Sequence, residues 1–174
     1  MKRRYISVDV DKCMGCHTCE LACAMAHGST DDLSALIRSG EKPGYRIFVE
    51  SYQSTSIPVP CNHCEEAACI LACPTGACHR ESEGAPVLVD NDKCIGCRMC
   101  VQACPFGMIS VHPLGSGVVK CDLCILRLAQ GEDPACVSSC PTKALSFAEE
   151  EEVNRSKRLK VAERMAAAKE TEEK

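Results

Sequence analysis

Sixteen of the seventeen cysteines in this chain fall into four groups of four, each with the spacing of an iron–sulfur ligand run. Cys13, Cys16, Cys19 and Cys23 read C-x2-C-x2-C-x3-C. Cys94, Cys97, Cys100 and Cys104 repeat that spacing and are followed by Pro105. Cys61, Cys64, Cys69 and Cys73 widen one gap, to C-x2-C-x4-C-x3-C, before Pro74. Cys121, Cys124, Cys136 and Cys140 widen it further, to C-x2-C-x11-C-x3-C, before Pro141. Thiolates at this spacing hold 4Fe–4S cubanes. Sixteen of them suffice for four 4Fe–4S clusters, whose chemistry is the transfer of single electrons. Each iron can be given a thiolate, so no coordination position is left open for a substrate. No G-x-G-x-x-G nucleotide loop is present either. The expectation is an electron relay with no catalytic residues.

Two other uses of cysteine are poorer fits. A disulfide scaffold has no reason to place Pro after the last cysteine of three groups, and it needs an oxidising compartment. Zinc sites do use paired C-x2-C, but the tight C-x2-C-x2-C-x3-C-P run departs from their spacing. Composition agrees with clusters as interior. The 174 residues are 45% apolar only because 17 cysteines are counted, aromatics are 3%, and Trp is absent. An ordinary core would be thin, so metal binding should be coupled to folding.

The formal charge of −4 treats cysteine as neutral. Each oxidised cubane with its four thiolates adds about −2, which brings the loaded chain to about −12. Such a balance argues against nucleic acid and anionic membrane surfaces as partners. Lys12, Lys93 and Lys120 each precede the first cysteine of a group. They read as solvated loop charges, or else as cations that stabilise a reduced cluster. No stretch reaches the about 18 apolar residues of a membrane span, and no apolar core follows Met1–Arg4 as a signal peptide requires. A cytoplasmic location is expected.

The elements that position the cysteines are short. The β-branched runs Tyr5–Val10, Val87–Val89, Ile109–Val111, Val118–Val119 and Ala144–Phe147 are expected strands. The first group lacks the terminal Pro, so a helix should run on through Ala24, Met25 and Ala26. Ser29 or Thr30 would cap a helix over Asp31–Arg38, with Asp31 and Asp32 in its first turn and Gly40 ending it. Tyr45–Ser51 alternates as a strand with Tyr45, Ile47 and Val49 on one face. His112–Gly117 is a loop, and Ile125–Ala135 has room for a helical turn and a second loop. Glu149–Lys174, rich in Glu, Lys, Arg and Ala, has strong helix composition. Its thin apolar stripe of Leu159, Ala162 and Met165 or Ala166 suits a solvated helix, or a helix that docks on a partner.

Cys78, outside the four groups, reads as a buried small hydrophobe. His63, between Cys61 and Cys64, reads as a loop residue donating a hydrogen bond, the alternative being a proton-coupled tuner of its cluster. His17, His27, His79 and His112 have no ligand spacing and are given no role.

The pattern as a whole resembles the four-cluster ferredoxin-like electron-transfer subunits of multisubunit oxidoreductases. Those include subunits of dimethyl-sulfoxide reductase, nitrate reductase, formate dehydrogenase, formate hydrogenlyase and carbon-monoxide dehydrogenase. The resemblance spans about Tyr5 to Phe147. It rests on Cys61-Asn-His-Cys64, Cys73-Pro-Thr-Gly-Ala77, Cys94-Ile-Gly-Cys97, Cys104-Pro-Phe-Gly107, Lys120-Cys-Asp-Leu-Cys124 and Cys140-Pro-Thr-Lys-Ala144. It implies an α+β fold of two intertwined bacterial-type ferredoxin-like units, each with short antiparallel strands. The four-cluster domain would cover residues 1–148, with an inner unit at about 58–112, an outer unit from 1–27 plus 116–148, and an insertion at 28–57 carrying a short helix. A charged C-terminal helix would occupy 149–174.

The resemblance also implies the ligand sets. Cys13, Cys16 and Cys19 would join Cys140, and Cys121, Cys124 and Cys136 would join Cys23. Cys61, Cys64 and Cys69 would join Cys104, and Cys94, Cys97 and Cys100 would join Cys73. Leu21–His27, Asp32-Leu33 and Ala35–Ile37 look most like the subunit that accompanies carbon-monoxide dehydrogenase. The implied partners are that enzyme first, and a formate dehydrogenase or hydrogenase second. A hydrogenase, flavoprotein or ferredoxin would be the second redox partner, in an anaerobic metabolism.

Overall fold

The structure, a computed structural model, describes residues 3–113, 115 and 117–172, with side chains described as far as residue 166. Leu114 and Ser116 of the expected loop, Met1 and Lys2, and the last two residues of the expected C-terminal helix lie outside the described residues. In chain order the elements are β1 (Arg4–Val8), α1 (Thr18–Ala26), α2 (Leu33–Ser39), β2 (Phe48–Tyr52) and β3 (Thr55–Val59). Next come α3 (Ala68–Leu71), β4 (Cys78–His79), β5 (Leu88–Val89), α4 (Met99–Ala103), β6 (Ile109–Val111) and β7 (Val118–Lys120). The order ends with α5 (Ile125–Ala129), α6 (Ala135–Ser138), β8 (Leu145–Glu149) and α7 (Glu150–Glu172). This is an α+β fold of short antiparallel strand pairs around cysteine loops, with a C-terminal helix.

The strands pair two by two: β1 with β8, β2 with β3, β4 with β5, and β6 with β7. The β1–β8 pair joins the two ends of the cysteine-bearing region, setting Ile6 opposite Phe147 and Val8 opposite Leu145. Ile6 and Leu145 face the core, while the Arg4 guanidinium lies over the Phe147 ring at 4.1 Å. The pairs β4–β5 and β6–β7 flank the second and third cysteine groups. The helices explain the C-x3-C spacing. Residues four apart share a helical face, so α1 turns both Cys19 and Cys23 inward. The single-turn helices α3, α4 and α6 hold Cys69, Cys100 and Cys136, and Cys73, Cys104 and Cys140 follow four residues later.

The insertion differs from expectation in detail. α2 begins at Leu33, and its cap is Asp32, whose Oδ1 accepts the Ser34 N–H at 2.8 Å. Asp caps as well as Ser or Thr, and the later start buries Leu36. Gly40 ends the helix in the left-handed region, as expected. β2 starts at Phe48 and not at Tyr45. Ile47 and Val49 are buried, but Tyr45 stays 42% exposed and leans on the Phe48 ring, 5.2 Å between centroids. Its hairpin partner β3, which contains Pro58, is absent from the expected strands. A two-stranded ribbon is all edge, so Pro58 opposite Val49 leaves no ladder donor missing that matters.

Two buried clusters form the interior. Six of the fourteen buried members of the larger, and three of the seven of the smaller, are cysteines. Aliphatic side chains alone therefore do not close either core. α7 is mostly solvated: Val153 docks its first turn, Lys160 Nζ reaches Asp9 Oδ2 at 2.7 Å, and Leu159 and Met165 are exposed. Removing iron from the loaded protein with an anaerobic chelator is expected to drop far-UV circular dichroism toward that of a largely unfolded chain. Iron and sulfide together should restore it.

Candidate metal centres

The four C-x2-C loops share one backbone device. The residue before the second cysteine is left-handed in every loop: Gly15 at φ 68°, His63 at 44°, Gly96 at 67° and Leu123 at 58°. This twist folds the loop so that both of its cysteines face one point. Glycine adopts it freely, whereas His63 and Leu123 hold it against the steric cost of a Cβ. Strain of that kind persists only where the surroundings over-determine it. Around His63 they do. Arg80 Nη2 bonds the carbonyls of His63 at 3.0 Å and Cys64 at 2.5 Å, and its Nη1 bonds that of Glu65 at 3.0 Å. Arg3 bonds the carbonyls of Asn62 and His63 from the other side.

Three recesses follow from this folding, each lined by four of the sixteen cysteines. Cys61, Cys64, Cys69 and Cys104 line one, and Cys13, Cys16, Cys19 and Cys140 another. Cys73, Cys94, Cys97 and Cys100 line the third, where the extra thiol of Cys78 also sits within hydrogen-bond reach of Cys100. The remaining four, Cys23, Cys121, Cys124 and Cys136, are all buried, where α1 packs against α6. They lie close enough for the charge on Cys23 to oppose ionisation of each of the other three. Each set takes three cysteines from one group and one from another. No disulfide joins any of the seventeen.

The sulfurs are prepared for negative charge by backbone donors. Cys23 Sγ accepts the Arg46 N–H at 3.3 Å, and Cys73 Sγ that of Cys78 at 3.4 Å. Cys104 Sγ accepts from Met108 at 3.4 Å, and Cys140 Sγ from Ala144 at 3.2 Å. At Cys73 and Cys140 burial works against the thiolate, but these amides and the Thr75 and Thr142 hydroxyls outweigh it and lower the pKa. Elsewhere burial wins. It pushes the Cys19 thiol up to about 11, and those of Cys121, Cys124 and Cys136 up as well. Such thiols ionise only when a metal takes the proton's place. Four converging sulfurs per set, buried or half-buried except at Cys16 and Cys97, with a backbone N–H donor to one sulfur of each set, fit a 4Fe–4S cubane.

The surroundings of the sulfurs depart from the solvated-loop reading at one of the three lysines. Lys12 and Lys93 are solvated, paired with Asp9 and Asp90. Lys120 is a correction: it is buried, and its ammonium bonds the carbonyls of Val87 at 2.7 Å and Cys121 at 2.9 Å. No carboxylate pairs with it among the described residues. An unpaired buried ammonium is costly, and the charge that balances it is that of the neighbouring sulfurs. At His63, Nδ1 accepts the Val87 N–H at 3.0 Å.

His27, which has no ligand spacing, anchors a charged network. Its Nδ1 donates to the Cys23 carbonyl at 2.7 Å and its Nε2 to Asp122 Oδ1 at 3.1 Å, while Arg46 donates to Asp122 Oδ2 at 2.7 Å. Burial disfavours the imidazolium, but Asp122 and Cys23 outweigh it and raise its pKa to about 9. Burial likewise opposes the Asp122 charge, and His27 and Arg46 overcome it, holding the carboxyl well below its usual range. No spacing rule reaches this network. Only the identity of Asp122, inside a C-x2-C loop, offers a signal in the sequence.

Recesses built in this way define an iron–sulfur carrier of single electrons. Residues 52–150 match the family described as a 4Fe-4S dicluster domain, and residues 10–26 match a 4Fe-4S binding domain. The chain is 43% identical over 152 residues to an iron-sulfur protein of Rhodospirillum rubrum, covering 80% of this chain and 79% of that one. It is 40% identical over 146 residues to the B subunit of the anaerobic dimethyl sulfoxide reductase of Escherichia coli, covering 80% and 70%. It is 39% identical over 153 residues to the thiosulfate reductase electron transfer subunit PhsB of Salmonella typhi, covering 84% and 77%. Among solved structures, the active site complex BamBC of benzoyl coenzyme A reductase as isolated gives a TM-score of 0.45 at 21% identity, covering 98% of each chain. The chain belongs to the 4Fe–4S dicluster family of iron–sulfur electron-transfer subunits, and its cofactors are four 4Fe–4S clusters.

Two substitutions test the build of the centres. An added Cβ at Gly96 would make only an ordinary contact, with the Gly117 nitrogen at 3.7 Å. Gly96→Ala should therefore cost only the left-handed strain, about 1–2 kcal/mol, read as faster anaerobic release of iron. Asp122→Asn strands two partly buried cations and should cost about 1–3 kcal/mol in thermal stability of the loaded protein. Glu132→Gln, at the half-exposed pair with Arg127, should change it by less than about 0.5 kcal/mol.

Proposed function

We propose that this chain relays single electrons between a catalytic oxidoreductase subunit, most specifically a carbon-monoxide dehydrogenase, and a second redox partner such as a hydrogenase, flavoprotein or ferredoxin. When bound, each 4Fe–4S cluster takes up and gives up one electron without binding substrate. The observation that carries the reading is the sorting of cysteines into complete sets of four, three of them around separate recesses. In this reading Cys13, Cys16, Cys19 and Cys140 hold one cluster, and Cys23, Cys121, Cys124 and Cys136 the next. Cys61, Cys64, Cys69 and Cys104 hold a third, and Cys73, Cys94, Cys97 and Cys100 the fourth. Residues 1–148 act as the four-cluster domain: an inner unit at about 58–112, an outer unit from 1–27 plus 116–148, and the 28–57 insertion.

Backbone amides and buried cations complete the device. They stabilise the charge that accumulates on the sulfurs, which keeps successive centres reducible. Exposed Met14, Cys16, Ile95 and Cys97 bring two of the centres to the surface, where a partner would exchange electrons. We place the relay in the cytoplasm of an anaerobic cell. No helix among the described residues is long and apolar enough to cross a membrane.

The carbon-monoxide reading rests on the likeness of Leu21–His27, Asp32-Leu33 and Ala35–Ile37. A formate dehydrogenase or hydrogenase complex is the second reading, with α7 in an assembly role that its exposed Leu159, Val161 and Met165 favour. The names of the dimethyl sulfoxide and thiosulfate reductase relatives favour a reductase as catalytic partner. One experiment separates them. The loaded protein is mixed anaerobically with carbon monoxide and a nickel–iron carbon-monoxide dehydrogenase, and bleaching of its visible absorbance is followed. Fast, enzyme-dependent bleaching is expected. Its absence with an active dehydrogenase overturns the carbon-monoxide reading. Fast bleaching by formate or hydrogen with their own enzymes supports the second. Rapid oxidation of the reduced protein by a sulfoxide or thiosulfate reductase supports the last.

A further inference from the structure

His63 carries a polar atom that the fold leaves unexplained. The residue is 5% exposed and lines the recess of Cys61, Cys64, Cys69 and Cys104. Its Nδ1 accepts the Val87 N–H at 3.0 Å, and the Lys120 ammonium stands 3.5 Å from the same atom. Two donors converging on Nδ1 require a lone pair there. The ring is therefore neutral, and its proton sits on Nε2. That Nε2–H is buried and has no hydrogen-bond partner among the described residues. Buried donors are almost always paired. The recess that His63 lines is walled by four cysteine sulfurs, and a cubane held by them adds sulfide acceptors.

We propose that His63 donates its Nε2–H to a sulfur of the cluster held by Cys61, Cys64, Cys69 and Cys104, and so sets that cluster's potential above the value it would otherwise have. The effect is electrostatic: a donor to sulfur stabilises the reduced, more negative state. The fold holds the ring in place for this from three sides. The left-handed backbone of residue 63 swings the side chain inward, Arg3 and Arg80 clamp its carbonyl, and the Val87 amide fixes the tautomer. Lys120 reinforces the arrangement, because its ammonium also excludes a proton from Nδ1. His63 is thus a positioning residue for charge and does not itself take part in electron transfer. The inference rests on the ligand sets proposed above.

The test separates the two nitrogens. His63→Asn keeps an acceptor near the Nδ1 position, tolerates the left-handed backbone better than most side chains, and loses only the reach of Nε2. His63→Gln keeps a donor near Nε2 and loses the acceptor. Each loaded variant is assayed for iron per chain, which tests the ligand sets, and then titrated potentiometrically with EPR detection. Expected is full iron in the Asn variant with one of four potentials shifted negative, and a potential near wild type in the Gln variant. An unchanged set of potentials in the Asn variant overturns the proposal, as does a shift confined to the Gln variant, the result a purely structural bond to Val87 would give. Should neither variant hold its iron, the wild-type protein labelled with nitrogen-15 histidine decides the matter. His27 Nδ1 stands 3.8 Å from Cys23 Sγ and adds a signal at that centre. The expected result is therefore a histidine nitrogen coupled to the cluster of Cys61, Cys64, Cys69 and Cys104 in pulsed EPR, and the absence of coupling at that cluster overturns the proposal.

Discussion

Sixteen sulfurs must be brought together in a small interior and kept negative, and the rest of the structure answers to that electrostatic constraint. Buried thiols resist ionisation, as Cys19, Cys121, Cys124 and Cys136 show. Iron bound to them would take the place of their protons, and the thiolates would still need positive potential around them. The chain supplies that in two forms. Backbone amides at Arg46, Cys78, Met108 and Ala144 point at the sulfur that closes each set. Buried or half-buried cations at Lys120, His27 and Arg46 stand behind them. Neither form is stable alone. The ammonium of Lys120 would be an uncompensated buried charge without the sulfurs, and the sulfurs would repel one another without the donors.

Short elements follow from the same demand. A cysteine loop that folds around a point leaves room for one turn of helix and two or three residues of strand before the next loop begins. Long strands or helices would carry the sulfurs apart. The left-handed residue before the second cysteine of each C-x2-C pair is the local counterpart of that global constraint. Two loops meet it with glycine, and two hold His63 and Leu123 in strain. At His63 the strain is matched by the arginine clamp on the loop carbonyls, so the costly conformation is also the rigid one.

Much of the centre is legible from residue order. The four groups, the helical continuation after Cys23, the cap at Gly40, the strands around Ile109 and Val118 and the terminal helix all sit where the pattern places them. Each is a local matter of spacing, β-branching or capping. What escapes such reading is nonlocal. β3 hides behind Pro58, because a strand that contains Pro is recognisable only once its partner makes it an edge. Lys120 and Lys93 look alike in sequence, each one residue before a first cysteine. Only the packing of β7 against β5 takes one into the interior and leaves the other in water.

The sequence by itself determined how many sulfur sets there are and which chemistry they serve, because ligand count and loop length are properties of the chain alone. Tertiary structure decided which sulfurs meet, which cations are buried beside them, and which way the His63 ring is turned. These depend on residues far apart in sequence, such as Cys23 with Cys136, His27 with Asp122 and His63 with Val87. Their hydrogen bonds exist only at about 3 Å, and their charge couplings weaken with separation. Only a folded chain defines distances on that scale.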